Sequence, residues 1–139
     1  MIKFKKIDYD KLTAKQQESY NFQKFSSVLA DVGYTTTKLS DDWESADFLA
    51  QHIDKKTFIK IQLKSKFGIA KKYYAKEIFI ALRVGEEYYL YPHDELQNYI
   101  LANSTVATTE SWKIGGKYHY PKIPKKFENY LKKNNYQIK

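Results

Sequence analysis

The chain of 139 residues contains no cysteine, so disulfide bonds and thiolate metal sites are excluded. Its three histidines, at positions 52, 93 and 119, are a poor supply of ligands for a zinc site. No long apolar run follows the N-terminal residues 1–6, and we therefore expect neither a signal peptide nor a membrane span. The sequence also lacks a Gly-rich phosphate loop, a serine nucleophile elbow and a dinucleotide-binding fingerprint. A cytoplasmic protein is the expectation that remains.

Acidic residues are missing from one long segment of the chain. Residues 55–76 carry eight lysines and no acid, and residues 113–139 carry eight lysines and one acid. The other two segments are mildly acidic, so the net charge of +8 comes from two basic blocks. Lysines interleaved with aromatic rings, as in residues 71–74, favour contact with a phosphate backbone. A solubilising lysine-rich surface explains the same charge equally well.

The composition is sufficient for a packed core, because 42% of the residues are apolar and 17% are aromatic. The length indicates one domain. We expect a single domain over residues 1–139, with a core over about 13–102 and a basic C-terminal extension over 103–139.

The residue pattern predicts a mixed α/β fold. A helix is predicted over 13–32, where Thr13 and Gln16 form a capping box and Gly33 ends the helix. Period-two patterns predict strands over 34–39, 45–53, 57–65, 77–84 and 87–91, with turns at 40–42, 54–56 and 85–86. Two more helices are predicted over 95–102, capped by His93 or Asp94, and over 125–133, with irregular structure over 103–120.

Polar side chains are predicted to converge on this sheet. Alternation puts Lys60, Gln62 and Lys64 on one face of the strand 57–65. If this strand pairs with the strand 45–53 as a hairpin, Asp47 lies on the same side as Gln62. Glu18 falls on the apolar helix stripe, where a carboxylate needs a partner unless it reaches solvent at the helix start. Oxygen donors of this kind suit a hard cation such as Mg²⁺.

A helix with Glu18, a strand, a strand with Asp47 and a strand with Gln62-Leu63-Lys64 follow one another in the chain. This order resembles the PD-(D/E)xK, or restriction-endonuclease-like, nuclease superfamily over about residues 13–92. The resemblance implies an αβββαβ core, with a central mixed sheet flanked by helices. It also implies that Asp47, Gln62 and Glu18 bind Mg²⁺ or Mn²⁺ and that Lys64 assists the attacking water. Gln62 replaces the usual glutamate, which removes one negative charge and should weaken metal affinity.

Three functions are consistent with these observations. The first is a metal-dependent endonuclease that hydrolyses DNA, needs no small-molecule cofactor and binds no membrane. A homodimer would give such an enzyme one site for each strand of a duplex. The second is a nuclease-fold protein that has lost catalysis and binds nucleic acid or a protein. The third is a basic RNA-binding module, for which the placement of Glu18, Asp47 and Gln62 would be coincidence.

Several residues are candidates for contact with nucleic acid outside the catalytic set. They are Lys60, Ser65, Lys66, Lys71, Lys72, Tyr73 and Lys117. Ser65 and Lys66 either hold a phosphate or simply end the strand. Trp112 and the loop 115–119 either touch nucleic acid or pack as ordinary structure. His93 and Asp94 are better explained as a helix cap than as a catalytic pair, and His52 as a packed or surface histidine.

Overall fold

The structure, a computed structural model, describes residues 1–43 and 45–139. Its helices and strands follow in the order α1 (Ala14–Asp31), β1 (Tyr34–Trp43), β2 (Ala46–His52), β3 (Phe58–Lys64), β4 (Phe67–Ala70), β5 (Ile78–Val84), β6 (Glu87–Pro92), α2 (His93–Ala102), α3 (Glu110–Lys113), β7 (Lys117–Tyr120), α4 (Lys125–Lys133) and β8 (Gln137–Ile138). Short 3-10 turns cover Tyr9–Lys11, Lys71–Tyr73 and Val106–Thr108.

The strands form a central sheet of six and a separate pair. The central sheet has the order β1-β2-β3-β5-β6-β8. Strands β3 and β5 run parallel, whereas the other neighbours in this sheet are antiparallel. Strands β4 and β7 pair antiparallel beside it. The predicted mixed sheet flanked by helices is therefore confirmed.

Helix α1 begins and ends where the sequence predicts. The Thr13 hydroxyl accepts from the Gln16 backbone N–H at 3.2 Å, and the Gln16 side-chain oxygen accepts from the Thr13 N–H at 2.9 Å. This capping box satisfies two of the backbone donors that a helix start leaves without partners. Gly33 follows the helix with φ +91°, a conformation that costs glycine little.

The central sheet is covered on both faces. Helix α1 packs against one face in a cluster of Phe25, Leu29, Phe48, Ala50, Ile61, Ala81 and Tyr88. The opposite face contacts α2 and α4 in a cluster that includes Ile78, Ile80, Leu82, Leu96, Ile100, Phe127 and Leu131. Burial on both faces explains the near-continuous apolar run of β5. None of the helices in the described ranges combines the length and apolar character that crossing a membrane requires.

Three local predictions are wrong. Residues 40–42 belong to β1 and do not form a turn, because β1 pairs with β2 again at Trp43 opposite Ala46, after a register shift that follows Lys38. Residues 103–120 are not irregular, since they contain α3 and β7. Helix α2 begins at His93 after Pro92, so neither His93 nor Asp94 caps it.

The C-terminal segment is part of the core. Strand β7 completes the second sheet with β4, and β8 pairs with β6 at one edge of the central sheet. Phe127 and Leu131 of α4 are buried. The core therefore extends beyond the predicted limit at residue 102.

The connection between β3 and β5 carries no α-helix in this structure. Residues 65–77 contain β4 and the 3-10 turn Lys71–Tyr73 instead. The face opposite α1 is covered by α2, which comes after the β5–β6 hairpin. The helical layer of the αβββαβ core is thus supplied from a later part of the chain.

The β2–β3 turn gives the first testable prediction. Asp54 accepts hydrogen bonds from the backbone N–H groups of Lys56 and Thr57 at 2.8 Å each, and from the Thr57 hydroxyl at 2.7 Å. The bonds from Thr57 and Lys56 lower the pKa of Asp54 to about 2. We expect Asp54→Ala to lower the melting temperature at pH 7.

The pH dependence of this effect has a defined sign. Folding favours the carboxylate form of Asp54, so the contribution of Asp54 to stability is complete above its unfolded pKa of about 4. It is lost as the pH falls through about 2, the folded pKa. The difference in melting temperature between wild type and Asp54→Ala should therefore decrease as the pH falls from about 4 to about 2. Asp31→Ala, at an exposed site, is the control. A gap that stays constant with pH would contradict the assignment.

Candidate active-site cleft

The pairing of β2 with β3 brings Asp47 to the end of β3. Phe48 lies opposite Ile61, so the antiparallel register puts Asp47 beside Gln62. The backbone N–H of Leu63 donates to Asp47 Oδ2 at 2.9 Å. On its other side β3 pairs with β5 as far as Lys64 opposite Leu82. The carboxylate is thus fixed where β3 ends.

A cleft of about 320 Å³ opens between this end of the sheet and the first turns of α1. The predicted site residues Glu18, Asp47, Gln62 and Lys64 all line it. Three elements, α1, β2 and β3, therefore bring these four residues together. Their roles in catalysis and metal binding stay predictions.

The four side chains differ in exposure. Asp47, Gln62 and Lys64 are half-buried, whereas Glu18 is exposed. Glu18 thus takes the second of the two positions considered from the sequence, reaching solvent near the helix start. It still borders the cleft, so its carboxylate is accessible to a ligand there.

The surroundings of Lys64 disfavour its charge. Burial lowers the pKa of the Lys64 ammonium, and the negative charge of Asp47 opposes that shift. Lys64 Nζ also lies 5.0 Å from the centre of the Tyr73 ring. The Asp47 carboxylate and the Tyr73 ring both favour the charged ammonium, and they partly offset the effect of burial.

The donor set of the cleft suits a hard divalent cation. Asp47 and Glu18 offer carboxylate oxygens and Gln62 offers an amide oxygen, the ligand type that Mg²⁺ prefers. Within residues 1–43 and 45–139, no three His, Asp or Glu side chains gather as a metal-ligand cluster. The acidic residues that line the cleft are Glu18 and Asp47, whereas the resemblance implies three acidic ligands. The residues fit Mg²⁺ or Mn²⁺ with one negative charge fewer.

One rim of the cleft is held by residues that the sequence analysis did not identify. Arg83 of β5 donates through Nε and Nη2 to Asn21 Oδ1 at 3.1 and 2.9 Å. Asn21 Nδ2 in turn donates to the Tyr9 hydroxyl at 2.8 Å. The guanidinium also lies 5.5 Å from the Tyr9 ring centre and 5.3 Å from that of Tyr20. The sequence offered one signal, since Arg83 is the only arginine in the chain.

The candidates for nucleic-acid contact do not all lie on the surface. The exposed ones are Ser65, Lys66, Lys71, Lys72 and Lys117. Lys60 is half-buried on β3. Tyr73 is only 3% exposed and packs edge-on against His93 at 5.4 Å between ring centres. Tyr73 is therefore a core residue, and its prediction as a surface contact is wrong. Strand β3 ends at Lys64, so Ser65 and Lys66 lie after the strand. Ser65 also borders the cleft.

Two further aromatic or histidine positions are packed. Trp112 is 6% exposed, and Lys71 Nζ lies 5.0 Å from its ring centre. This agrees with packing, the second of the two predicted roles for Trp112. His52 is half-buried and lies edge-on to Tyr34 at 4.9 Å, as expected for a packed or surface histidine.

His93 and Asp94 form a hydrogen-bonded pair and not a helix cap. His93 is fully buried, and its Nε2 accepts from the backbone N–H of Ala70 at 3.1 Å. Nδ1 therefore carries the proton and donates to Asp94 Oδ1 at 3.0 Å. Asp94 Oδ2 accepts from the Ala75 N–H at 2.8 Å. The pair fastens the end of β4 and the residues after it, up to Ala75, to the start of α2.

These features define a restriction-endonuclease-like fold, with α1 on one face of the sheet and the polar cleft at the end of β3. Among solved structures, the chain is similar to the bacterial homing endonuclease I-Ssp6803I, with 15% identity, a TM-score of 0.51, and 88% of this chain and 96% of that chain covered. It is also similar to Hjc, a Holliday junction resolvase from Archaeoglobus fulgidus, with 11% identity, a TM-score of 0.42, and 53% of this chain and 76% of that chain covered. No protein-family model and no curated protein matches the sequence.

Proposed function

We propose that the chain is a metal-dependent endonuclease that hydrolyses phosphodiester bonds in DNA. The observation that carries the proposal is the meeting of Glu18, Asp47, Gln62 and Lys64 in one cleft of a nuclease-like fold. The net charge of +8 supports a polyanionic substrate.

Each side chain has a role that its position allows. Asp47, Gln62 and Glu18 would hold Mg²⁺ or Mn²⁺ through oxygen atoms. When bound, the cation supplies charge neutralisation at the attacked phosphate and lowers the pKa of water. The backbone N–H of Leu63 holds the Asp47 carboxylate in a fixed orientation. Lys64 borders the same cleft, where it can orient the attacking water or stabilise charge that develops on the phosphate.

One observation favours a second candidate, a nuclease-fold protein without catalysis that binds nucleic acid. The amide of Gln62 leaves the cleft with two carboxylates, so its attraction for a divalent cation is weaker than that of a three-acid site. Binding by the basic surface would survive this loss.

A cleavage assay tests the proposal. The substrates are linear duplex DNA, methylated duplex, single-stranded DNA, a four-way junction and RNA, each with Mg²⁺, with Mn²⁺ and with EDTA. We expect DNA to be cut in the presence of metal and left intact in EDTA. Salt-sensitive binding with no cutting of any substrate would favour the second candidate. Cutting confined to RNA would overturn the choice of DNA.

Changing Gln62 tests which residues hold the metal. Gln62→Glu adds a third carboxylate to the cleft, so we expect tighter metal binding, by about 10-fold, because affinity follows the number of charged ligands. Isothermal titration with Mn²⁺ measures this directly, and half-maximal cutting should shift to lower metal concentration. Gln51→Glu, at an exposed position of β2, adds the same charge outside the cleft as a control. Equal metal affinity in wild type and both variants would rule out the cleft as the metal site.

A further inference from the structure

The second sheet carries a basic surface on its outer side. We call this surface the basic arm and define it by His119 and Lys117 of β7, Lys66 before β4 and Lys72 after β4. All four residues are exposed. Tyr118 and Tyr120, which alternate with them on β7, pack against the core cluster. Strand β7 therefore presents one apolar side inward and one basic side to solvent.

The arm is built so that the His119 ring lies close against β4. Gly68 is the register partner of His119. A methyl group on Gly68 would overlap the Tyr118 carbonyl oxygen and the His119 ring. The absence of a side chain at Gly68 is thus a requirement of this close approach, which is a common reason for glycine inside a strand.

The electrostatic surroundings of His119 are positive from several elements. The His119 ring is partly desolvated where it lies against β4, which lowers the pKa of its imidazole, and the charges of Lys64, Lys117, Lys66 and Lys72 lower it further. No ion pair among the described residues involves Lys66, Lys72 or Lys117. Positive groups gathered without acidic partners attract an anion.

The arm is continuous with the cleft. Lys64 lines the cleft together with Asp47 and Gln62, and it also borders a small pocket with His119, Lys66 and Gly68. A nucleic-acid strand whose phosphate lies in the cleft would therefore have its neighbouring phosphates near the outer side of β7.

We propose that the basic arm binds the DNA backbone beside the phosphate held in the cleft, with His119 at the centre of the contact. The partner is identified by its chemistry, because a row of phosphates offers negative charges to lysines from three segments of the chain. The choice of DNA rests on the proposed function. The location of the phosphate contacts rests on the arm itself.

Binding in EDTA tests the arm separately from cleavage. A fluorescein-labelled DNA duplex is titrated by anisotropy over a series of salt concentrations, with Lys66→Ala/Lys117→Ala as the arm variant. Two lost phosphate contacts should weaken binding by about 10-fold or more and reduce the salt slope by about 0.9 for each contact. The control, Lys56→Ala/Lys133→Ala, removes the same charge from exposed positions in the β2–β3 turn and at the end of α4. It should bind nearly as wild type does.

His119→Gln tests the centre of the arm, since glutamine keeps polarity but cannot take up a proton. A phosphate beside His119 should favour its protonation against the charges of Lys64, Lys66, Lys72 and Lys117. Wild-type affinity for DNA should therefore rise from pH 8 to pH 6 more steeply than that of His119→Gln. Unchanged melting temperatures would show that both arm variants fold.

The outcomes separate the two proposals. Equal weakening by the arm and control variants would overturn the arm, because binding would then follow net charge alone. Arm-dependent binding of RNA without binding of DNA would overturn the choice of DNA. Arm-dependent DNA binding without metal-dependent cutting would contradict the endonuclease and leave the arm supported.

Discussion

Asp47→Asn should reduce the rate of metal-dependent DNA cutting by at least about 10²-fold, the scale expected when one preorganised electrostatic group is lost. Asparagine keeps an oxygen that can accept from the Leu63 N–H, which donates to Asp47 at 2.9 Å in the wild type. The negative charge is what disappears. Single-turnover cleavage measures the rate, and anisotropy in EDTA should show DNA affinity unchanged or slightly tighter.

A matched substitution outside the cleft controls for the loss of one negative charge. Asp31→Asn removes the same charge at the exposed end of α1, away from the cleft, and should cut at the wild-type rate. If Asp47→Asn cuts as fast as wild type while remaining folded, Asp47 has no part in the reaction and the proposed active site is wrong. Thermal denaturation would show whether Asp47→Asn has lost cutting because it no longer folds. In that case Asp47→Glu, which keeps the negative charge, would show whether cutting depends on the charge.

Among the substitutions proposed, His93→Leu should cause the largest decrease in the free energy of unfolding. The substitution replaces the imidazole with an apolar side chain of similar size and leaves the N–H of Ala70, a buried residue, without its acceptor. It also removes the hydrogen bond to Asp94. We expect the free energy of unfolding to fall by about 3 kcal/mol, the upper range for a buried donor left without a partner. Urea denaturation measures it.

The effect of His93 should also depend on pH. Burial lowers the pKa of the His93 imidazole below its ordinary value, the Lys64 charge acts in the same direction, and Asp94 opposes both. The unfolded chain therefore binds a proton more readily than the folded chain. The stabilisation is complete above the unfolded pKa of about 6.5 and declines as the pH falls towards the folded pKa. The difference in the free energy of unfolding between wild type and His93→Leu should consequently decrease from pH 7 to pH 5.

His52 provides the comparison for this prediction. It is half-buried in contact with Tyr34, and His52→Leu should cost less than about 1 kcal/mol, as is usual for substitutions outside the core. His119 titrates in all of these proteins, so its contribution cancels in the difference. A His93→Leu protein as stable as His52→Leu would show that the Ala70 N–H finds another acceptor.

Elements with strong local signals could be predicted from the sequence. Helix α1 has both members of its capping box and a glycine after its last turn, and β2 and β3 alternate in polarity around a turn that Asp54 stabilises. These signals act between residues close in the chain. The candidate cleft follows from the same elements, because the β2–β3 register decides that Asp47 and Gln62 meet.

Elements held by distant partners could not be predicted. Strands β4 and β7 are four residues each, and β8 is two residues long. Such short strands carry little periodicity, and each is stabilised by pairing with a remote segment. Missing β7 also hid the alternation that exposes His119 and Lys117. The buried position of Tyr73 follows from the same remote packing, which its neighbours Lys71 and Lys72 gave no reason to expect.

The pairing of β4 with β7 joins segments far apart in the chain, and this order has a consequence during synthesis. Strand β4 is made early, but its partner is made only after β5, β6, α2 and α3. A nascent chain that has reached α2 already contains Asp47, Gln62 and Lys64, yet it has no β7 to complete the basic arm. Closing so long a loop is also slow. The β4–β7 pair would therefore form late, after the residues that line the cleft have already been synthesised.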